Sequence, residues 1–138
     1  MEPTLTPDIL IATEKENDLL EMLLSTHNYN LVFADTGAEV LSYLREHTPA
    51  LLMVDAHLPD LGGIKICSRV KKVPRLQEMP TILLVDARNN RLLQEAENCD
   101  SETLITKPLT GKDIRAIVAR MLGRETLTDE LLDIYNPN

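Results

Sequence analysis

The chain has 138 residues, 43% hydrophobic and 26% charged, with a formal net charge of −8. That length supports one domain whose core needs neither disulfides nor a structural metal. The acidic balance, with three Tyr, one Phe and no Trp, argues against a surface for a nucleic-acid phosphate backbone or a base-stacking platform, so no direct nucleic-acid binding is expected.

The opening MEPTLTPD lacks the basic and apolar stretches of a secretory signal. ILIA (Ile9 to Ala12) reads as a short strand. NDLLEMLLST then places Leu19, Leu20, Leu23 and Leu24 on one helical face. LVFA (Leu31 to Ala34) is the second strand. TGAEVLSYLREH opens with Thr36 and Glu39 at capping-box spacing, and Val40, Leu41 and Leu44 form its stripe. ALLMVD is the third strand. Its run from Ala50 to Val54 is the longest strictly apolar one and falls far short of a membrane span.

Gly63 to Lys72 forms a helix with Ile66, Cys67 and Val70 inward, and RVKKVPR reads as its solvated end, where cations suit the dipole. Pro80 introduces the strand TILLV (Thr81 to Val85). NRLLQEAEN is a weaker helix carried by Leu92, Leu93 and Ala96, and TLIT (Thr103 to Thr106) is the fifth strand. TGKDIRAIVARMLG is the last strong helix. Thr110 caps it, Ile114, Ile117, Val118 and Met121 form its stripe, and Gly123 closes it. The domain is therefore expected over 8–123. The acidic remainder, 124–138, is open between a short helix, a linker and a frayed end. Cys67 and Cys99 stand outside any C-x-x-C spacing and are expected as buried thiols of a cytoplasmic protein.

Five alternating strand–helix units predict an α/β fold, a parallel sheet covered by helices on both faces. Such folds bind ligands beyond the carboxyl ends of the strands. The residues there are Thr13 and Glu14, Asp55, Val85 and Asp86, and Lys107. Asp55 ends an apolar strand, so it is either a turn residue or a nucleophile at the mouth of the sheet.

Asp55, Pro59 and Gly63 form the pattern D-x-x-x-P-x-x-x-G, and Lys107–Pro108 forms a K-P pair after the fifth strand. With the five units in order, the chain resembles the receiver domain of bacterial response regulators from about Ile9 to Gly123. The resemblance implies a flavodoxin-like three-layer fold with strand order 2-1-3-4-5, an order known for this type of fold. It implies that Asp55 accepts a phosphoryl group from a histidine kinase or phosphotransfer protein. It implies Mg²⁺ held by Asp55, the backbone carbonyl of His57 and the acid Glu14, in a site weakened by the changes below. Lys107 would contact the phosphoryl group, and the Lys107–Pro108 bond would be cis. Pro59 and Gly63 would shape the loop and start the helix. Such a domain modifies itself and turns over no external substrate, so it is not read as an enzyme. Its output would be a protein partner or a fused effector domain, with no membrane partner; a homodimer is left open.

Four positions depart from the family. Thr13 stands where a second acid is usual and reads as a local cap. Val85 stands where a hydroxyl binds the phosphoryl group, and valine offers no hydrogen bond. Asp86 replaces a small residue and should repel a dianion unless it turns outward or joins the metal. Leu104 replaces the switching aromatic and is expected to be buried. The competing reading is a phosphorylation-independent pseudo-receiver serving as an interaction or dimerisation module. A flavin-binding protein of the same topology is disfavoured, because ATEKEND has no Gly and three acids where a phosphate cradle would lie.

Overall fold

The computed structural model describes residues 6–25, 28–99 and 103–123. The whole of 124–138 lies outside them. By its internal contacts the chain divides into a unit ending at Pro108 and a second beginning at Leu109.

In the first unit five strands, β1 (Asp8–Ala12), β2 (Asn30–Ala34), β3 (Leu51–Asp55), β4 (Thr81–Asp86) and β5 (Thr103–Lys107), form one sheet. All pairings are parallel and the order is β2-β1-β3-β4-β5, as the sequence predicts. β3 is buried at every position, and β4 at all but Asp86. The edge strands β2 and β5 are only half-buried, so the central strands alone show the burial of strands covered on both faces.

Alternation divides the sheet into two faces. Leu10, Ala12, Leu52, Val54, Leu83 and Val85 join a core cluster with Val40 and Leu44 of α2 (Gly37–Glu46), Ile66, Cys67 and Val70 of α3 (Gly63–Lys71), and Ala96 of α4 (Asn90–Glu97). The alternate residues Ile9, Ile11, Leu51, Met53, Ile82 and Leu84 are fully buried on the opposite face. In α1 (Asn17–Leu24), Leu20 and Leu24 are buried and Leu23 half-buried, but Leu19 is 37% exposed. The face is thus narrower than the sequence suggests: i, i+4 spacing selects Leu20 and Leu24, and Leu19 falls outside that stripe. Cys67 is buried and Cys99 half-buried, both as thiols, which corrects the expectation that both are buried.

The helix ends show which local signals operate. Thr36 Oγ1 accepts from Glu39 N at 3.1 Å, while Glu39 reaches back to Asp35 N at 2.7 Å. Asn89 caps α4 through Leu92 N at 3.1 Å. Arg75, in the short 3-10 turn Pro74–Leu76, donates to the carbonyls of Leu44 and His47 at the end of α2. It is exposed, as the basic run implied, but lies beyond its own helix and closes a neighbouring one. In the second unit, α5 (Gly111–Met121) is capped by Thr110, whose Oγ1 accepts from Asp113 N at 3.3 Å. Ile114 and Val118 are its buried residues, and Gly123 follows it at φ +71°.

Candidate functional site

Asp55, Asp86 and Lys107 are each the last residue of their strands. The register opposes Asp55 to Leu84 and Asp86 to Lys107. Three chemically active side chains therefore reach the same end of three adjacent strands. They line a cleft of about 620 Å³ with Glu14, His57, Arg88, Asn89, Asn90 and Leu92.

Asp55 is 1% exposed and Lys107 9%. A buried carboxylate needs partners, and among the described residues Asp55 has three. Its Oδ1 accepts from His57 N at 3.0 Å. Its Oδ2 accepts from Glu14 N at 3.2 Å and from Lys107 Nζ at 2.6 Å. The loop after β1 thus contributes a backbone donor to the acceptor candidate. Lys107 Nζ also donates to Glu16 Oε1 at 3.1 Å. Burial alone would lower the affinity of the Lys107 amine for its proton. The adjacent Asp55 and Glu16 carboxylates outweigh it and hold the ammonium above its usual range. The Lys107–Pro108 bond is cis.

The D-x-x-x-P-x-x-x-G spacing has a steric reason. A Cβ on Gly63 would lie 2.5 Å from the Asp55 carbonyl oxygen and 2.8 Å from Leu83 Cδ1. Only glycine lets α3 begin so close to the end of β3. Between them, Asp60 accepts Gly37 N at 2.8 Å and Ala38 N at 2.9 Å at the start of α2. These backbone donors, Gly37 first, hold the Asp60 carboxyl below its ordinary value. Pro59 is exposed in the same loop.

The other predicted positions divide. The Glu14 side chain is 45% exposed and 3.2 Å from His57 Nδ1. Thr13 is buried. Its hydroxyl donates to Asn17 Oδ1 at 2.8 Å and accepts from Glu16 N at 2.8 Å, so it organises the turn into α1. Val85 is fully buried in the core cluster and is not among the cleft residues. Asp86 is in the cleft, but Arg88 binds it: Nε lies 3.2 Å from Oδ1 and Nη2 3.0 Å from Oδ2. The Arg88 side-chain and backbone donors hold the Asp86 carboxyl down at about 2. Leu104 is half-buried against the core, not buried as expected, because β5 is an edge strand. Sequence reading missed Glu16 and Arg88. Glu16 carried a weak signal, an acid just before a helix; Arg88 carried none beyond its closeness to Asp86.

The sequence from 10 to 119 matches the family described as the response regulator receiver domain. The chain belongs to this family.

It is 27% identical over 121 residues to the transcriptional regulatory protein AfsQ1 of Streptomyces coelicolor, covering 86% of this chain and 52% of that protein. It is 27% identical over 101 residues to a histidine kinase, P4, of Formosa agariphila, covering 72% of this chain and 7% of the kinase. The chain thus spans about half of one relative and a small part of the other. Among solved structures, the signal receiver domain of a signal transduction histidine kinase from Syntrophus aciditrophicus aligns at TM-score 0.80 and 26% identity. The alignment covers 86% of this chain and 91% of that one. The receiver domain of a Pseudomonas aeruginosa sensor histidine kinase, solved with magnesium in its active-site cleft, aligns at 0.79 and 16% identity. It covers 86% of this chain and 99% of that one, and at that identity the likeness is one of fold.

The protein is a response-regulator receiver domain of the two-component signalling systems. Receiver domains are signalling modules. A phosphorylation-independent module is not favoured by these likenesses. Among the described residues no helix is long and apolar enough to cross a membrane.

Proposed function

We propose that Asp55 is the phosphoryl acceptor of this receiver domain. The observation that carries this is its placement: a carboxylate 1% exposed, lining an open cleft, with the Lys107 ammonium 2.6 Å away. Phosphoryl transfer needs a positioned oxygen nucleophile and positive charge beside the moving group. A carboxylate oxygen of Asp55 attacks phosphorus on a phosphohistidine donor. The new P–O bond forms as the P–N bond breaks, and the nitrogen keeps the electron pair. Lys107 stands where the added negative charge arises.

The donor set fits Mg²⁺. That ion takes one or two carboxylates and fills its octahedron with waters and phosphate oxygens. Asp55 and Glu14 line one cleft, and the His57 carbonyl is the third candidate ligand. Among the described residues no group of three or more His, Cys, Asp or Glu is arranged for a metal. The set therefore suits an ion shared with a phosphoryl group better than one caged by side chains. Bound there, Mg²⁺ would neutralise charge on the transferring group.

The donor would be a histidine kinase or phosphotransfer protein, and the output a protein partner or fused effector domain. The receiver module is taken as 8–123, in a cytoplasmic setting.

The test is incubation with Mg²⁺ and acetyl phosphate, followed by intact mass. One added phosphoryl group is expected on the wild type and none on Asp55→Asn. Equal labelling of the two would remove Asp55 from the role.

A further inference from the structure

The acceptor reading leaves Glu16 without a task. Its side chain is only 15% exposed, against 45% for Glu14 two residues earlier. A carboxylate that sheltered needs a partner, and Glu16 has Lys107 at 3.1 Å. Its position is also fixed. Thr13 Oγ1 accepts Glu16 N, while Thr13 N and Oγ1 both donate to Asn17 Oδ1. Asn17 Nδ2 in turn donates to Ala34 O of β2 at 3.2 Å. Thr13, at the family's missing acid, thus builds the turn that holds another acid against Lys107.

We propose that Glu16 is a positioning residue for Lys107: it supplies from the start of α1 the anion that Thr13 does not, and it limits how much of the lysine's charge reaches a phosphoryl group on Asp55. This rests on the acceptor reading above. An ammonium has three donors and acts as a point charge. Here Asp55 Oδ2 and Glu16 Oε1 both draw on it. Phosphorylation turns the Asp55 carboxylate into an acyl phosphate and places new anionic oxygens in the cleft. Glu16 then competes with those oxygens for Lys107, and its own charge repels them in a poorly solvated site.

The test uses the full chain saturated with Mg²⁺ and titrated with beryllofluoride, with binding read from backbone amide spectra. Glu16→Gln should bind about three- to tenfold more tightly than wild type, the effect of removing one nearby like charge from a half-buried site. Glu16→Asp, which keeps the charge but draws it back by a methylene, should fall between. The Lys107 ammonium signal, recorded at one fixed pH before any beryllofluoride, should move in Glu16→Gln. Equal or weaker binding by Glu16→Gln overturns the inference, as does an unmoved ammonium signal. If Glu16→Gln does not fold, Glu16→Asp decides on the same terms. If wild type itself binds no beryllofluoride, the acceptor reading falls and takes this inference with it. If wild type binds and the variants bind no tighter, only the inference falls.

Discussion

Lys107 Nζ and Asp55 Oδ2 are 2.6 Å apart, with side chains 10% and 2% exposed. Removing one partner of a buried pair leaves the other charge uncompensated. Lys107→Met should therefore destabilise the fold by about 3 kcal/mol. Asp55→Asn combined with Lys107→Met should recover at least about 1 kcal/mol of that loss, because the stranded carboxylate is gone. Urea unfolding of the two single variants and the double variant measures the coupling. Strict additivity would mean that the contact contributes nothing.

The same pair sets an alkaline limit. The Lys107 ammonium is held above its ordinary value by Asp55 and Glu16 against the opposing effect of burial. Its contribution is complete below the unfolded-chain value of about 10.4 and is lost as pH rises through the higher folded value. The stability gap between wild type and Lys107→Met should be flat from neutral pH to about 10 and close above it. Denaturant unfolding across that range checks this. A gap that closes nearer pH 8 would contradict it.

Gly63→Ala should disturb stability and site together. The added Cβ meets the Asp55 carbonyl at 2.5 Å and Leu83 Cδ1 at 2.8 Å, so α3 must move away from β3. About 2 kcal/mol of destabilisation is expected from overpacking of this kind. The rate of labelling by acetyl phosphate should fall, because the shifted backbone carries Asp55. A variant as stable and as reactive as wild type would show that the close approach is not needed.

Asp86 is charged at every pH of interest, since Arg88 holds its carboxyl at about 2. Asp86→Ala should raise beryllofluoride affinity about two- to fivefold by removing a negative charge from the cleft, and salt should shrink the gain. Arg88→Ala should lower the affinity, since it leaves Asp86 unneutralised. Titrations at low and high ionic strength test both directions. Affinity unchanged in both variants would mean that the pair is electrically silent toward the acceptor.

What could be read from the sequence follows from the range of the interaction. Thr36 with Glu39, and Thr110 ahead of Asp113, act across three residues, and both caps form as the spacing implies. Strand order and the gathering of Asp55, Asp86 and Lys107 follow from alternating units and their resemblance to a known fold. The contacts that escaped are long-range or depend on a rotamer. Arg75 reaches the end of α2, Glu16 reaches Lys107 across most of the chain, and Asp60 binds amides that precede it by more than twenty positions. No periodicity encodes these. Leu19 shows the converse limit: a run of leucines does not say which of them the helix turns outward.

Asp60 gives the loop after Asp55 a mechanical tie to α2. Its carboxylate grips the first two amides of α2 from within the segment joining Asp55 to α3. A displacement of that segment either stretches these two bonds or draws the start of α2 with it. The Gly37 and Ala38 amides are therefore built-in strain gauges for that segment, far from Val85 and Leu104 in sequence.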